Sequence, residues 1–216
     1  MLINTLPHGK RRQEAGFSLL EVVLVMGVVL VVTASALINI LPSIKTSRSN
    51  AAMELVLGEM RRAHERAVDE RRIYRVTFTA PNTIQVDVGT VAVIGSTITD
   101  SAPAFVAAQP PLTLPGSVQF TVVAGIPTNP LATPDRLGAG ATAIDFDQAN
   151  GGGGTQIYFQ PDGRALDAGN RLNDGVVYLA VPNDLFSSRA VSLYGSTGRT
   201  KNWTLSRVSG AIGWAQ

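Results

Sequence analysis

The feature that most constrains this chain is an apolar run, Phe17 to Leu41, that follows three bases, Lys10, Arg11 and Arg12, and holds one acid, Glu21, near its start. About 25 residues of that kind make roughly 37 Å of helix, enough to cross a bilayer. An ionised carboxylate near the end of a membrane helix costs on the order of 3 kcal/mol, so it needs a partner and marks a function. An amine is the cheapest partner. Cutting the chain between Gly16 and Phe17 frees an α-amino group about one helical turn before Glu21, where the Glu21 of a neighbouring copy can meet it. The bases before the run stay on the cytoplasmic side, so the rest of the chain lies outside the membrane.

Two plainer readings compete. A basic segment, an apolar segment and the small-residue site Ala34-Ser35-Ala36 also describe an ordinary secretory signal, to which an acid inside the apolar segment is the objection. A simple single-span anchor is the other, and it leaves Glu21 without a role.

The string Gly16, Phe17, Leu19, Leu20, Glu21 resembles the class III signal of type IV pilins and type II secretion pseudopilins. The resemblance implies cleavage by prepilin peptidase after Gly16 and N-methylation of Phe17. It also implies a single pass through the bacterial inner membrane with the head in the periplasm, then packing beside other pilin or pseudopilin subunits in a filament. It divides the chain into a leader peptide (1–16), a transmembrane and assembly helix (17–42), an amphipathic helix half (43–72) and a β-rich head (73–216).

Composition is compatible. About 140 residues remain for one head, enough for a modest core. The chain carries 18 bases and 16 acids, and losing Lys10, Arg11, Arg12 and Glu14 with the leader leaves 15 of each. A neutral mature chain owes any nucleic-acid surface to local clustering. There is no cysteine, which excludes disulfides and thiolate metal sites. Two histidines, one of them in the leader, do not make a zinc site.

From Ser43 to about Arg72 an apolar stripe of Ala52, Leu55, Val56, Met60, Ala63 and Ala67 recurs at steps of three and four and predicts an amphipathic helix. Its other face carries Arg61, Arg62, His64, Glu65, Arg66, Asp69 and Glu70, with Arg61/Glu65 and Arg66/Glu70 at pairing distance, read as a solvated face or a subunit contact. Pro42, between two helical patterns, predicts a kink rather than an end.

Period-two alternation then takes over. Residues 73–79 and 83–88 flank Ala80-Pro81-Asn82 as a hairpin. Further strands are expected over 118–123, 143–146, 155–159, 176–181, 190–194 and 203–207. Asp100 to Gly140, with seven prolines, reads as a surface excursion, and Gly151 to Gly154 as a flexible hairpin tip. The fold class is therefore α+β: a long N-terminal α-helix, transmembrane half plus amphipathic half, packed on an antiparallel β-sheet or small β-sandwich head.

The carboxy-terminal half adds a second resemblance. Phe159-Gln160-Pro161-Asp162-Gly163, a strand at Val176 to Leu179, Arg189 to Leu193, and Gly195-Ser196-Thr197-Gly198-Arg199 are similar, in that order, to the GspH/FimT type of minor pilin and pseudopilin. Some members of that type are linked to DNA capture in natural transformation through basic residues around the final turn. That resemblance implies an alternative DNA site at Arg199, Lys201 and Trp203, with Arg189 and Arg207 beside it. Lys201 stands where the family pattern has arginine and lacks the bidentate fork. The competing reading is of turn cations and a core tryptophan.

No catalytic constellation is legible, so no enzyme activity and no cofactor are expected. Asp145 and Asp147 stand two apart, able to share a strand face or a cation, yet the calcium-loop spacing with its closing glutamate is missing. The resemblance yields one direct expectation: mass spectrometry of the purified protein finds an N-methylated Phe17 at the amino terminus, whereas a chain starting at Leu37 refutes it in favour of ordinary secretory cleavage.

Overall fold

The structure, a computed structural model, describes residues 18–90, 93–94, 97–98, 104–208 and 210–216, without the side chains of 36–42, 90, 93–94, 97–98 and 208. The chain divides into two compact units, Met1–Pro42 and Ser43–Gln216.

Helix α1 spans Leu19–Asp69. Over its first part Leu19, Leu20, Val22 to Met26 and Val28 to Val32 are all exposed. The hydroxyls of Thr33 and Ser35 donate back to the carbonyls of Val29 and Val31, at 2.8 and 2.9 Å. Among the described residues no helix is long and apolar enough to cross a membrane. Phe17 and the side chains of 36–42, parts of the span expected from sequence, lie outside them.

In the second unit the expected stripe is the buried face. Ala52, Val56, Met60, Ala63 and Ala67 are at most 1% exposed, while Leu55 is half-buried. Arg66 pairs with Glu70 at 3.3 Å as expected, but Arg62 turns back to Glu59 at 2.6 Å, and no Arg61–Glu65 pair forms among the described residues. The helix stops at Asp69, short of Arg72, because Arg71 adopts a left-handed φ of 53° and the Arg72 amide donates to the Ala67 carbonyl. This is a Schellman ending with arginine in the position glycine favours, so the sequence offers no punctuation there.

Two antiparallel sheets follow, which realise the α+β class. The first contains β1 (Tyr74–Thr79), β2 (Thr83–Thr90), β5 (Ala104–Ala107), β6 (Leu112–Thr113), β9 (Gln156–Phe159) and β10 (Ala165–Leu166), in the order β10-β9-β1-β2-β5 with β6 also on β2. The second contains β7 (Gln119–Phe120), β8 (Ile144–Asp145), β11 (Gly175–Ala180), β12 (Arg189–Tyr194), β13 (Arg199–Val208) and β14 (Ala211–Ala215), in the order β14-β13-β12-β11-β7 with β8 also on β11. A separate pair joins β3 (Val93–Ile94) to β4 (Thr97–Ile98).

The expected first hairpin forms, Tyr74 opposite Val88 and Thr79 opposite Thr83. Its alternation sends Tyr74, Val76 and Phe78 inward. They join Ile157 and Phe159 of β9, Val177 and Leu179 of β11, Val191 and Leu193 of β12, and the helix stripe in one core. Each large side chain removed from water there contributes roughly 1.5–3 kcal/mol.

The centre of the second sheet is buried on both faces: every residue of β11 and all but Tyr194 of β12 are buried. The stretch from Val122 to Leu137 explains this, packing Ile126, Val122 and Leu137 against Val176, Tyr178, Ala190 and Leu205. The proline-rich region is thus partly a cover for the outer face of a sheet, not a mere surface excursion. Its single apolar residues, separated by prolines and glycines, follow no period that sequence reading can use. The glycine run is likewise tied: the amide of Gly153 donates to Asp145 Oδ1 at 2.8 Å, that of Gly152 to the Asp147 carbonyl at 2.9 Å.

The helix docks on two turns through His64. This side chain is half-buried rather than solvated as its neighbours suggest. Its Nε2–H donates to the Gly163 carbonyl at 3.0 Å, and its ring meets Phe159 edge to face at 5.6 Å. Gly163 closes the Pro161-Asp162-Gly163 turn between β9 and β10, where its amide donates to the Gln160 carbonyl and the Gln160 amide to the Arg164 carbonyl. Gly198, at φ +63°, lies against the other side of the imidazole, and a Cβ there would fall 2.6 Å from the Gly163 carbonyl oxygen and against the His64 ring. Gly198→Ala therefore combines left-handed strain with a clash, and should cost about 1–3 kcal/mol in urea unfolding. Ser196→Ala in the same turn serves as control and should leave the midpoint in place; an unshifted Gly198→Ala midpoint would refute the docking role.

Candidate functional site

Two places carry the sequence-derived site residues, the start of α1 and the hairpin joining β12 to β13. Gly16 and Phe17 lie outside the described residues. Glu21 sits in the first turn of α1, and its amide donates to Ser18 Oγ at 3.2 Å. Ser18 is therefore the N-cap, and Ser18-Leu19-Leu20-Glu21 has the spacing of a capping box, a signal present in the sequence and not used above. An acid in the first turn also complements the helix dipole. Glu21 is exposed and in no ion pair among the described residues.

At the other end, the five residues of the alternative DNA site separate into three environments. Arg199 is exposed where the hairpin closes, paired across with Tyr194. Arg207 is exposed at the far end of β13, its guanidinium 5.6 Å from the centre of the Phe186 ring. Eight residues of strand separate the two, about 26 Å.

Lys201 is committed elsewhere. Its Nζ pairs with Asp135 Oδ1, and it lies over the rings of Tyr194 and Trp203 at 5.3 and 5.6 Å. Ser192 Oγ donates to the other oxygen of Asp135 and accepts from Trp203 Nε1 at 3.0 Å. Trp203 is thus a half-buried member of a polar network rather than a free stacking platform. Asp135 itself has a left-handed φ of 51°, as does its neighbour Arg136 at 62°. The network pins that strained turn onto the outer face of the second sheet. Burial pushes the Asp135 carboxyl upward, but hydrogen bonds from Lys201, Ser192 and Tyr194 outweigh it and hold the group below the usual carboxylate range.

Arg189 is 2% exposed and does not reach the surface. Its Nε donates to Asn50 Oδ1 on α1 at 2.7 Å, and its Nη1 to the carbonyls of Phe186 and Ser188 at 3.0 and 2.8 Å. Burial lowers its pKa, with the charge of Asp184 opposing. It joins helix to head, a role that position 189 in the sequence could not disclose because its main partner is Asn50.

Asp145 and Asp147 do not share a face. Asp145 is buried on β8 with its carboxylate on the Gly153 amide, whereas Asp147 lies beyond the strand and accepts from Asn150. Among the described residues no three His, Cys, Asp or Glu side chains converge on a metal position. Comparison with protein-family models, with curated proteins and with solved structures finds no match to this chain.

The Asp135 network has a pH signature. A carboxyl whose folded pKa is depressed stabilises the protein above its unfolded value, near 3.9, and that stability is lost as pH falls through the folded value. Between pH 5 and 2 the urea midpoint of Asp135→Asn should fall less steeply than that of the parent; identical slopes would show that Asp135 contributes nothing to acid sensitivity.

Proposed function

We propose that this chain is a minor pilin or pseudopilin, a structural subunit of a type IV pilus or type II secretion pseudopilus. In this reading prepilin peptidase cuts between Gly16 and Phe17, Phe17 is N-methylated, and the subunit waits in the bacterial inner membrane with its head in the periplasm before entering a filament. The observation that carries it is Glu21, an exposed acid in the first turn of a helix whose described side chains over the next turns are nearly all Leu, Val or Met. Within an isolated helix the carboxylate only caps the first turn and complements the dipole, worth about 1 kcal/mol, which does not offset its cost in lipid. In an array of copies it meets the new α-amino group of a neighbour at the same depth.

The helix supports this in a second way. Its hydroxyl residues Thr33 and Ser35 satisfy themselves on carbonyls one turn back, which suits a surface facing lipid or other apolar helices.

DNA capture is the second reading, and the geometry narrows it. Lys201 and Arg189 are held by Asp135 and Asn50, so phosphate contact would fall to Arg199, with Arg207 too distant to join it on one short stretch of backbone. A single exposed arginine gives a shallow salt dependence and little affinity.

Glu21→Leu tests the first reading. Removing the acid lowers the cost of insertion by up to about 3 kcal/mol and deletes the intersubunit pair, together with a cap and dipole contribution of about 1 kcal/mol inside the helix. The variant should therefore reach the membrane fraction at parental levels and be depleted from sheared filaments by immunoblot. Full recovery in filaments would overturn the assigned role.

A further inference from the structure

The outer face of the first sheet, away from the helix, carries a cleft of about 210 Å³ bounded by Ile73, Phe105, Tyr158, Gln160, Asp167 and Asn170. Pockets for drug-sized ligands run from roughly 300 to 1,000 Å³, so this one has room for a single ring.

Its walls are aromatic. Phe105 of β5 pairs across with Gly89, whose missing side chain lets the phenyl ring reach Tyr158 of β9, edge to face at 5.6 Å. The guanidinium of Arg75 covers Phe105 at 4.3 Å and is itself held by Asp87, with Nη2–Oδ2 at 2.7 Å and Nε–Oδ2 at 3.1 Å. That cation is paired with Asp87 and is not among the residues that line the cleft.

The rim is polar, and no base is among the residues that line it. Asp167 Oδ1 accepts from the amides of Gly169 and Arg171, both at 2.8 Å, and Oδ2 from Asn150 Nδ2 at 3.2 Å. Three N–H groups thus occupy a carboxylate that has about four acceptor positions, which leaves one for a hydroxyl donor. The side-chain amides of Gln160 and Asn170 make no hydrogen bond among the described residues, and each supplies donors and an acceptor. Asn170 holds a left-handed φ of 60°, a conformation that sets its side chain at the mouth.

A phosphate or a nucleotide would meet the Asp167 carboxylate with no base in the lining to offset it. A wholly apolar ligand would strip water from two amides and a carboxylate without replacing those bonds. What matches is a flat ring with apolar C–H faces and hydroxyls on its edge. We propose that this cleft binds one pyranose unit of a neutral glycan, with a ring face on Tyr158, an edge against Phe105 and the hydroxyls on Asp167, Gln160 and Asn170. The proposal is independent of the filament reading, and Arg199 is not among the residues that line the cleft.

Saturation-transfer NMR tests it on the full chain in lauryldimethylamine oxide micelles, chosen because the detergent has no sugar headgroup. The probes are methyl α-glucopyranoside and methyl N-acetyl-β-glucosaminide. One ring of that size should bind with a dissociation constant on the order of millimolar. Asn170→Gly keeps the backbone conformation while deleting the amide, and it should cut the transfer at least about threefold. Tyr158→Ala should abolish it, and Arg199→Ala should not change it. Circular dichroism of each variant separates lost binding from lost folding. No transfer from either glycoside at about ten times the expected constant, or equal transfer from parent and Asn170→Gly, overturns the proposal. Preferential binding of thymidine monophosphate in the same cleft would also overturn it, in favour of a nucleotide.

Discussion

The head depends on burying one stripe of α1, Ala52 to Ala67, against both sheets at once. Val76 and Phe159 of the first sheet and Val177 and Val191 of the second share one core with Met60 and its neighbours, and Phe78 of the first sheet meets Phe120 of the second edge to face at 5.7 Å. Small residues at 52, 63 and 67 let the strands approach the helix axis closely, and Val56 and Met60 fill the space between. Removing the helix would expose the apolar residues of both sheets that share this core. The polar contacts at its flank, His64 on Gly163 and Asn50 on Arg189, fix rotation and height on a surface that apolar packing alone leaves free to slide.

Much of this was legible because it is periodic. The stripe at steps of three and four and the alternation of residues 74 to 88 mark both the elements and the faces they bury. The Pro161-Asp162-Gly163 turn was legible from its turn chemistry. What escaped lacks a local signal. The helix end at Arg71 uses a residue with no preference for the left-handed conformation it adopts. Strands β5 and β14 are short, apolar and without alternation that distinguishes them from loop. The cover over the second sheet places Ile126 and Leu137 by long-range contact alone.

The candidate site failed to transfer intact for a related reason. Sequence gives the spacing of Arg199, Lys201 and Trp203, and so their common side of β13, but not what lies opposite. Asp135, 66 residues earlier, supplies a counter-charge that turns Lys201 from a surface cation into part of a buried network. Arg189 is similar, with a partner 139 residues away. Charge patterning along a strand reports potential ligands, and the tertiary partner decides which of them are spent. At the other end of the chain Glu21 stands out because its surroundings are local and apolar, and the capping role of Ser18 lies in the same four residues.

Gly198 and Arg199 are adjacent, yet one faces the helix and the other faces solvent. The glycine is fixed by the imidazole behind it, while the arginine touches nothing that the core needs. Such a boundary between neighbouring residues separates mounting from display. A lineage carrying this head can exchange the displayed side chain, for another cation, an aromatic or a neutral group, with no repacking beneath it. The same mount can therefore present different chemistry at the hairpin tip over an unchanged frame.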